Sequence, residues 1–121
     1  MATIKSFEDL EIWKESMQIA LSIYTAMKAC KDFGLKDQMQ RSAISVPSNI
    51  AEGFERQTNK EFVQFLYIAK GSCGELRTQI YLALKLGYIE KTDGKNLIEQ
   101  TKKLSSKISK LISYRKDNSK K

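Results

Sequence analysis

The sequence predicts an all-α protein, an antiparallel up-down-up-down four-helix bundle, and three observations carry that prediction. Lys, Glu, Leu, Ala, Gln and Met dominate long windows, interrupted by only six glycines and one proline. Apolar residues recur at steps of three and four, while β-like alternation is absent over any useful length. The links between periodic segments are short, which makes consecutive helices antiparallel neighbours. A chain of 121 residues has room for a single core.

The first helix opens at Ser6, with Asp9 three residues on as a weak capping box and Glu8, Asp9 and Glu11 favouring the positive end of the dipole. Leu10, Trp13, Met17, Ala20 or Leu21, Tyr24 and Met27 form one stripe; Ile12, Ile19, Ile23, Ala26 and Cys30 form a second beside it. That arc is wider than a surface helix needs. It suits a helix wedged between two neighbours of its own bundle, or one that packs partly against another subunit. The helix is expected to end near Lys31–Gly34, with Gly34 in a left-handed cap.

The second helix runs from about Leu35 to Gly53 or a turn beyond and contains Pro47, with Met39, Ala43, Val46, Ile50 and Gly53 or Phe54 as its apolar stripe. Proline removes one helical donor and its ring presses on the carbonyl four residues back, so a kink is expected there. A fresh helix starting at Pro47 would be only about two turns long, too short to hold alone, which favours one kinked helix. Ser42 and Ser45 are placed to satisfy the freed backbone groups.

Thr58 caps the third helix, with Glu61 in the reciprocal position. Phe62, Phe65 or Leu66, Ala69, Cys73, Leu76, Ile80, Ala83 and Leu86 or Gly87 form its core stripe, and Gly87 is the expected stop. Ala69, Gly71, Ser72, Cys73 and Gly74 strip the helix of bulk over more than a turn. Each glycine costs about 1 kcal/mol relative to alanine, so close approach of another backbone is expected, with the small residues of the second helix as partner.

After Tyr88–Asp93 the fourth helix presents Leu97, Thr101, Leu104, Ile108 and Leu111 inward, flanked by Ile98 and Ile112. Tyr114 ends the pattern. Residues 1–114 therefore read as the bundle domain, and residues 115–121 as a basic tail expected to be disordered.

Gln38, Arg41, Ser45, Pro47, Asn49, Ile50, Ala51, Glu52 and Gly53 stand together in the second helix. With FEDLEIW at Phe7–Trp13, EFVQFLYIA at Glu61–Ala69, GSCGEL at Gly71–Leu76 and LGYI at Leu86–Ile89, they cover nearly the whole chain. In these positions the sequence closely resembles the bacterial four-helix bundle family called S23 ribosomal protein, or 23S rRNA intervening-sequence protein. It also resembles a relative of that family, the accessory variability determinant of diversity-generating retroelements, a pentameric barrel that works with a reverse transcriptase and nucleic acid. The resemblance implies a four-helix bundle, assembly as a homopentamer, and a setting close to RNA. The family's old names record where its members are encoded, inside insertions of ribosomal RNA genes.

The chain has no histidine. That removes Ser-His and Cys-His nucleophiles, ordinary imidazole acid–base chemistry and the Glu-x-x-His di-metal site of helical bundles. No carboxylate pair is spaced to share an apolar face, and Gly71–Gly74 lacks the lysine and preceding strand of a phosphate loop. No catalytic residue, metal site or cofactor is predicted. Cys30 and Cys73, without CxxC spacing, read as reduced and inert. No apolar run is long enough to span a bilayer, and Met1–Trp13 is acidic and amphipathic, so a cytoplasmic location is expected.

Arg41, Asn49, Glu52, Glu75 and Arg77 lie in or beside the small-residue zone. They read as a structural polar network, with Arg41 or Arg77 pairing Glu52 or Glu75 across the contact or acting as registry against another subunit.

The net charge of +7 is unevenly spread. Residues 1–90 hold eleven Lys and Arg against eleven Asp and Glu; residues 91–121 hold ten against three and carry all the excess. Lys103, Lys107 and Lys110 share one flank of the fourth helix, Lys95 and Lys102 lie towards its back, and Arg115, Lys116, Lys120 and Lys121 continue into the tail. This is the footprint of a surface that neutralises phosphates without reading sequence, although a lysine-rich face also simply solvates a helical protein. Aromatics interleaved with these lysines are missing except for Tyr114, so the signal favours backbone contact, and base stacking on a single strand finds little support. The favoured reading is a non-catalytic oligomer that binds nucleic acid, RNA before DNA. The alternative is a scaffold that recruits another protein with no nucleic-acid contact.

Overall fold

The computed structural model describes residues 3–119. A short 3-10 turn at Phe7–Asp9 leads to four helices: α1 (Glu11–Ala26), α2 (Phe33–Phe54), α3 (Asn59–Lys85) and α4 (Lys91–Ser119). Each helix packs on its sequence neighbours and α4 closes back on α1; α1 with α3 and α2 with α4 share no contact among the described residues. The section is therefore square, with Ile23, Met27, Met39, Ile50, Leu66, Leu76, Ile80, Leu104 and Ile108 filling the centre.

The start signal at Ser6 caps the 3-10 turn instead of the first α-helix. Asp9 Oδ2 accepts from the backbone N–H of Lys5 at 3.0 Å and of Ser6 at 3.2 Å. Leu10 is extended and α1 begins at Glu11. Those two backbone donors hold the Asp9 carboxyl below its ordinary value.

α1 ends at Ala26, well short of Gly34. Asp32, which the sequence reading passed over, caps α2 by accepting from the Leu35 N–H at 3.1 Å. Gly34 is consequently inside α2, and the left-handed glycine is Gly87, at φ 75°. There the Tyr88 N–H reaches the Ala83 carbonyl at 2.9 Å and the Gly87 N–H reaches Leu84 at 3.1 Å, the paired bonds that close a helix on a left-handed residue.

α2 runs unbroken through Pro47, whose ring is buried. Neither serine turns back to the backbone there. The Ser42 hydroxyl donates to Glu75 Oε1 at 3.1 Å and Ser45 shares a 2.8 Å bond with Ser72, so both bridge α2 to α3. α3 begins as its cap requires, with the Glu61 N–H donating to Thr58 Oγ1 at 3.1 Å.

The close approach that the sequence placed at Gly71 and Gly74 occurs elsewhere. A Cβ added at either of those glycines would meet nothing within 4 Å, because both lie on the outer side of α3. At Gly53 it would lie 2.6 Å from Phe65 Cβ and 3.0 Å from Phe62 Cδ1, so α2 meets the start of α3 at that glycine. α4 continues through Ser119, and residues 115–119 are helical where the sequence suggested a tail; Lys120 and Lys121 lie outside the described residues.

Candidate nucleic-acid interface

α4 presents its polar residues at helical spacing outside the stripe of Leu97, Thr101, Leu104, Ile108 and Ile112, so its cations divide by flank. Lys107 faces α1. Its Nζ donates to Glu11 Oε1 at 2.9 Å and to both carboxylate oxygens of Glu15 at 3.0 and 2.9 Å. These bonds, that to Glu15 foremost, raise the Lys107 pKa, and the same lysine lowers that of Glu11. Lys107 is therefore a clamp between α1 and α4, already neutralised, and leaves the phosphate-binding set expected from sequence.

Arg115 is also engaged. Its guanidinium stacks 4.9 Å from the centre of the Phe62 ring, its Nη1 donates to Asn59 Oδ1 at 3.3 Å, and the Asn59 amide donates to its carbonyl at 2.7 Å. These contacts tie the last turns of α4 to the first turn of α3, which is the physical reason the helix does not stop at Tyr114. Lys116 stands beside Tyr67, its Nζ 3.5 Å from the phenol oxygen.

Lys95, Lys102, Lys103 and Lys110 remain as exposed cations along α4. Lys102 lies 3.9 Å from Glu99, with both side chains more than half exposed, a pair worth little in water. Lys103 shares a shallow groove with Lys14 of α1, together with Glu15, Gln18 and Gln100. Lys95, Lys103 and Lys110 have no ion-pair partner among the described residues.

The polar network predicted around the second and third helices is not built from ion pairs between them. Arg41 pairs with Asp37 one turn back, at 2.9 Å, on a surface where its side chain is 80% exposed. Glu52 pairs with Arg56 at 3.1 Å. The Asn49 amide donates to the Ser45 carbonyl and hydroxyl at 2.8 and 2.9 Å, and Glu75 takes the Ser42 hydroxyl. Arg41 and Glu52 point outward from α2, so local partners reach them first, and neutral hydroxyls make the crossing. Arg77 forms no ion pair among the described residues.

The model profile of the 23S rRNA-intervening sequence protein family matches residues 8–110. The chain belongs to that family. Among solved structures it is similar to a protein of unknown function from the S23 ribosomal protein family of Bacteroides thetaiotaomicron VPI-5482, at 22% identity and a TM-score of 0.79, over 84% of this chain and 97% of that one. At that identity the likeness speaks for the fold, and the bundle agrees. No curated protein matches this chain.

Two further surfaces of this family member stand apart from the basic helix, the first foreshadowed by the wide apolar arc of the first helix and the second not seen in the sequence. One is a groove of about 520 Å³ between α1 and α2, where Trp13, Met17, Leu21 and Tyr24 face Ile44, Pro47 and Ala51. The sequence showed that α1 has two apolar stripes but not which one the core would take; it takes Ile12, Ile19 and Ile23 and leaves Leu21 59% exposed. The other is the outer edge of α3, with Tyr67 and Tyr81 exposed around open glycines. Both cysteines are buried and free; Cys73 donates to the Thr101 carbonyl at 3.3 Å and burial pushes its thiol pKa up, the opposite of a reactive thiolate. Among the described residues no group of three or more His, Cys, Asp or Glu is placed to hold a metal, and no helix is long and apolar enough to cross a membrane.

Proposed function

We propose that this member of the 23S rRNA-intervening sequence protein family is a non-catalytic, cytoplasmic, self-associating module that binds nucleic acid, RNA before DNA, through backbone electrostatics of α4. One observation carries the reading: all of the chain's excess charge lies from residue 91 onward, and in α4 Lys107 is held by two carboxylates while Lys95, Lys103 and Lys110 have no ion-pair partner among the described residues. Lys95 and Lys102 on the back of α4 and Lys103 and Lys110 on its flank offer point charges that suit phosphates and carry no sequence code. The family's name, which ties it to an intervening sequence of 23S rRNA, favours RNA.

Self-association draws support from the α1–α2 groove. Leu21, Tyr24, Met17 and Ile44 are exposed together on one face, a continuous apolar surface of the kind that marks an interface. A second copy is its proposed occupant, and the family resemblance implies five copies in a ring. Repeating one basic helix around a closed assembly adds the fields of the copies. The same groove also favours the second reading, in which a different protein docks there and the basic helix only solvates the bundle.

Reversing Lys95, Lys103 and Lys110 to glutamate distinguishes the two. All three are exposed and unpaired, so the bundle is expected to keep its stability. Retention on structured RNA at physiological salt should fall sharply; unchanged retention would sink the nucleic-acid reading and leave the scaffold.

A further inference from the structure

The edge where α3 meets α4 carries two tyrosines that the core does not use. Tyr67 and Tyr81 are 49% and 43% exposed and lie fourteen residues apart on one face of α3, about 21 Å at the helical rise. Gly74 stands midway between them and Gly71 beside it, and both look into open space. The surface between the two rings is therefore open at both glycines.

Cations interleave with the rings. Lys70 and Arg77 follow Tyr67 at three and ten residues, on the same edge, and neither has an ion-pair partner among the described residues. From α4, the Lys116 Nζ lies 5.8 Å from the centre of the Tyr67 ring. α3 and α4 are antiparallel; Cys73 reaches the Thr101 carbonyl and Gly94 lies against Leu84, so Lys102 stands beside the stretch of α3 between the two rings. One lysine of α4 thus stands at Tyr67 and another beside the open glycines between the rings.

Phosphates alone would be served by cations alone. Exposed rings spaced among the cations serve a ligand that also presents flat apolar faces, and duplexes keep those faces stacked inside. We infer that the α3–α4 edge binds an unpaired stretch of nucleic acid, with bases stacked on Tyr67 and Tyr81 and the strand's phosphates on Lys70, Arg77 and Lys102. This rests on the nucleic-acid reading above and narrows its substrate to single strands. The rings come from α3 and the α4 cations from the next helix, which is why no interleaving shows in the sequence of α4.

The test is fluorescence anisotropy with labelled oligouridylate and oligothymidylate of about 12 nucleotides, within the span of known single-strand sites, beside a duplex RNA of the same length. Wild-type protein is compared with the Tyr67→Leu/Tyr81→Leu and Tyr67→Phe/Tyr81→Phe double variants, with thermal melts confirming that each is folded. The leucine variant should bind both single strands about tenfold or more weaker, from the stacking of one base per ring. The phenylalanine variant should bind as wild type does, and duplex affinity should not move. Equal loss on duplex and single strand, or no loss with leucine, overturns this inference while leaving electrostatic binding by α4 intact. Absence of any binding at low salt overturns both.

Discussion

Gly53 is a residue at which α2 packs directly on the start of α3. Its hydrogen leaves room for Phe65 Cβ and the Phe62 ring and carbonyl, none of which can swing away as a flexible side-chain tip would. Gly53→Ala should destabilise the fold by about 1–3 kcal/mol, the ordinary cost of forced overpacking, measured by urea unfolding. Gly71→Ala is the control: a methyl group there meets nothing, and helix propensity should make the change neutral to stabilising by up to about 1 kcal/mol. The sequence pointed to Gly71 for close packing and placed Gly53 only at the end of the second helix. It could not tell which of the two packs closely, because the difference lies in which side of α3 faces α2, and that is settled only when Ser72 meets Ser45 and Cys73 meets Thr101. The Lys107 clamp makes a different residue-scale prediction, on pH. Glu11 is held below its ordinary value of 4.5 by the hydrogen bond and then the charge of Lys107. Its stabilising effect is present above that value and fades as pH falls through the lowered one. Lys107 is raised above 10.5, mainly by Glu15, so its effect is present below 10.5 and fades as pH rises through the raised value. Lys107→Met should therefore flatten the urea midpoint against pH on both the acid and the alkaline side; an unchanged profile would show that the clamp does not persist in solution.

Among the elements, α3 was the most legible, since Thr58, the stripe from Phe62 to Ala83 and the stop at Gly87 all stand where periodicity and capping chemistry put them. Thr58→Ala should cost about 1 kcal/mol through loss of the N-cap, read as a lower melting temperature. α1 was less legible. Both of its stripes are apolar, and the burial of Ile12, Ile19 and Ile23 with only Leu10, Ala20 and Met27 of the other stripe depends on the angle at which α2 and α4 approach. The consequence is the exposed row of Met17, Leu21 and Tyr24. Leu21→Lys should leave the monomer's stability nearly unchanged, because an exposed position bears little of the fold's free energy. It should lower the mass measured by light scattering from a multiple of 13.8 kDa toward a single chain. A mass unaffected by that substitution would remove the α1–α2 groove from the proposed assembly.

At the scale of the whole molecule, the square section puts the apolar α1–α2 groove and the basic, tyrosine-bearing α3–α4 edge on opposite sides. Association through the first would leave the second facing solvent in every copy, so assembly and nucleic-acid binding do not compete for surface. The bundle and its four helices could be read from periodicity; the division of labour among the α4 cations could not, because Lys107 and Arg115 find their partners on α1 and α3, far away in sequence. The most direct measurement of the central claim is a titration of RNA affinity against salt, on protein whose solution mass has been determined. Backbone binding by Lys95, Lys102, Lys103 and Lys110 predicts a linear fall of log affinity with log salt, with a slope of about 0.7–0.9 for each phosphate contacted, and a smaller slope after reversal of Lys95, Lys103 and Lys110. Affinity that is independent of salt, or no binding even at low salt, would contradict it.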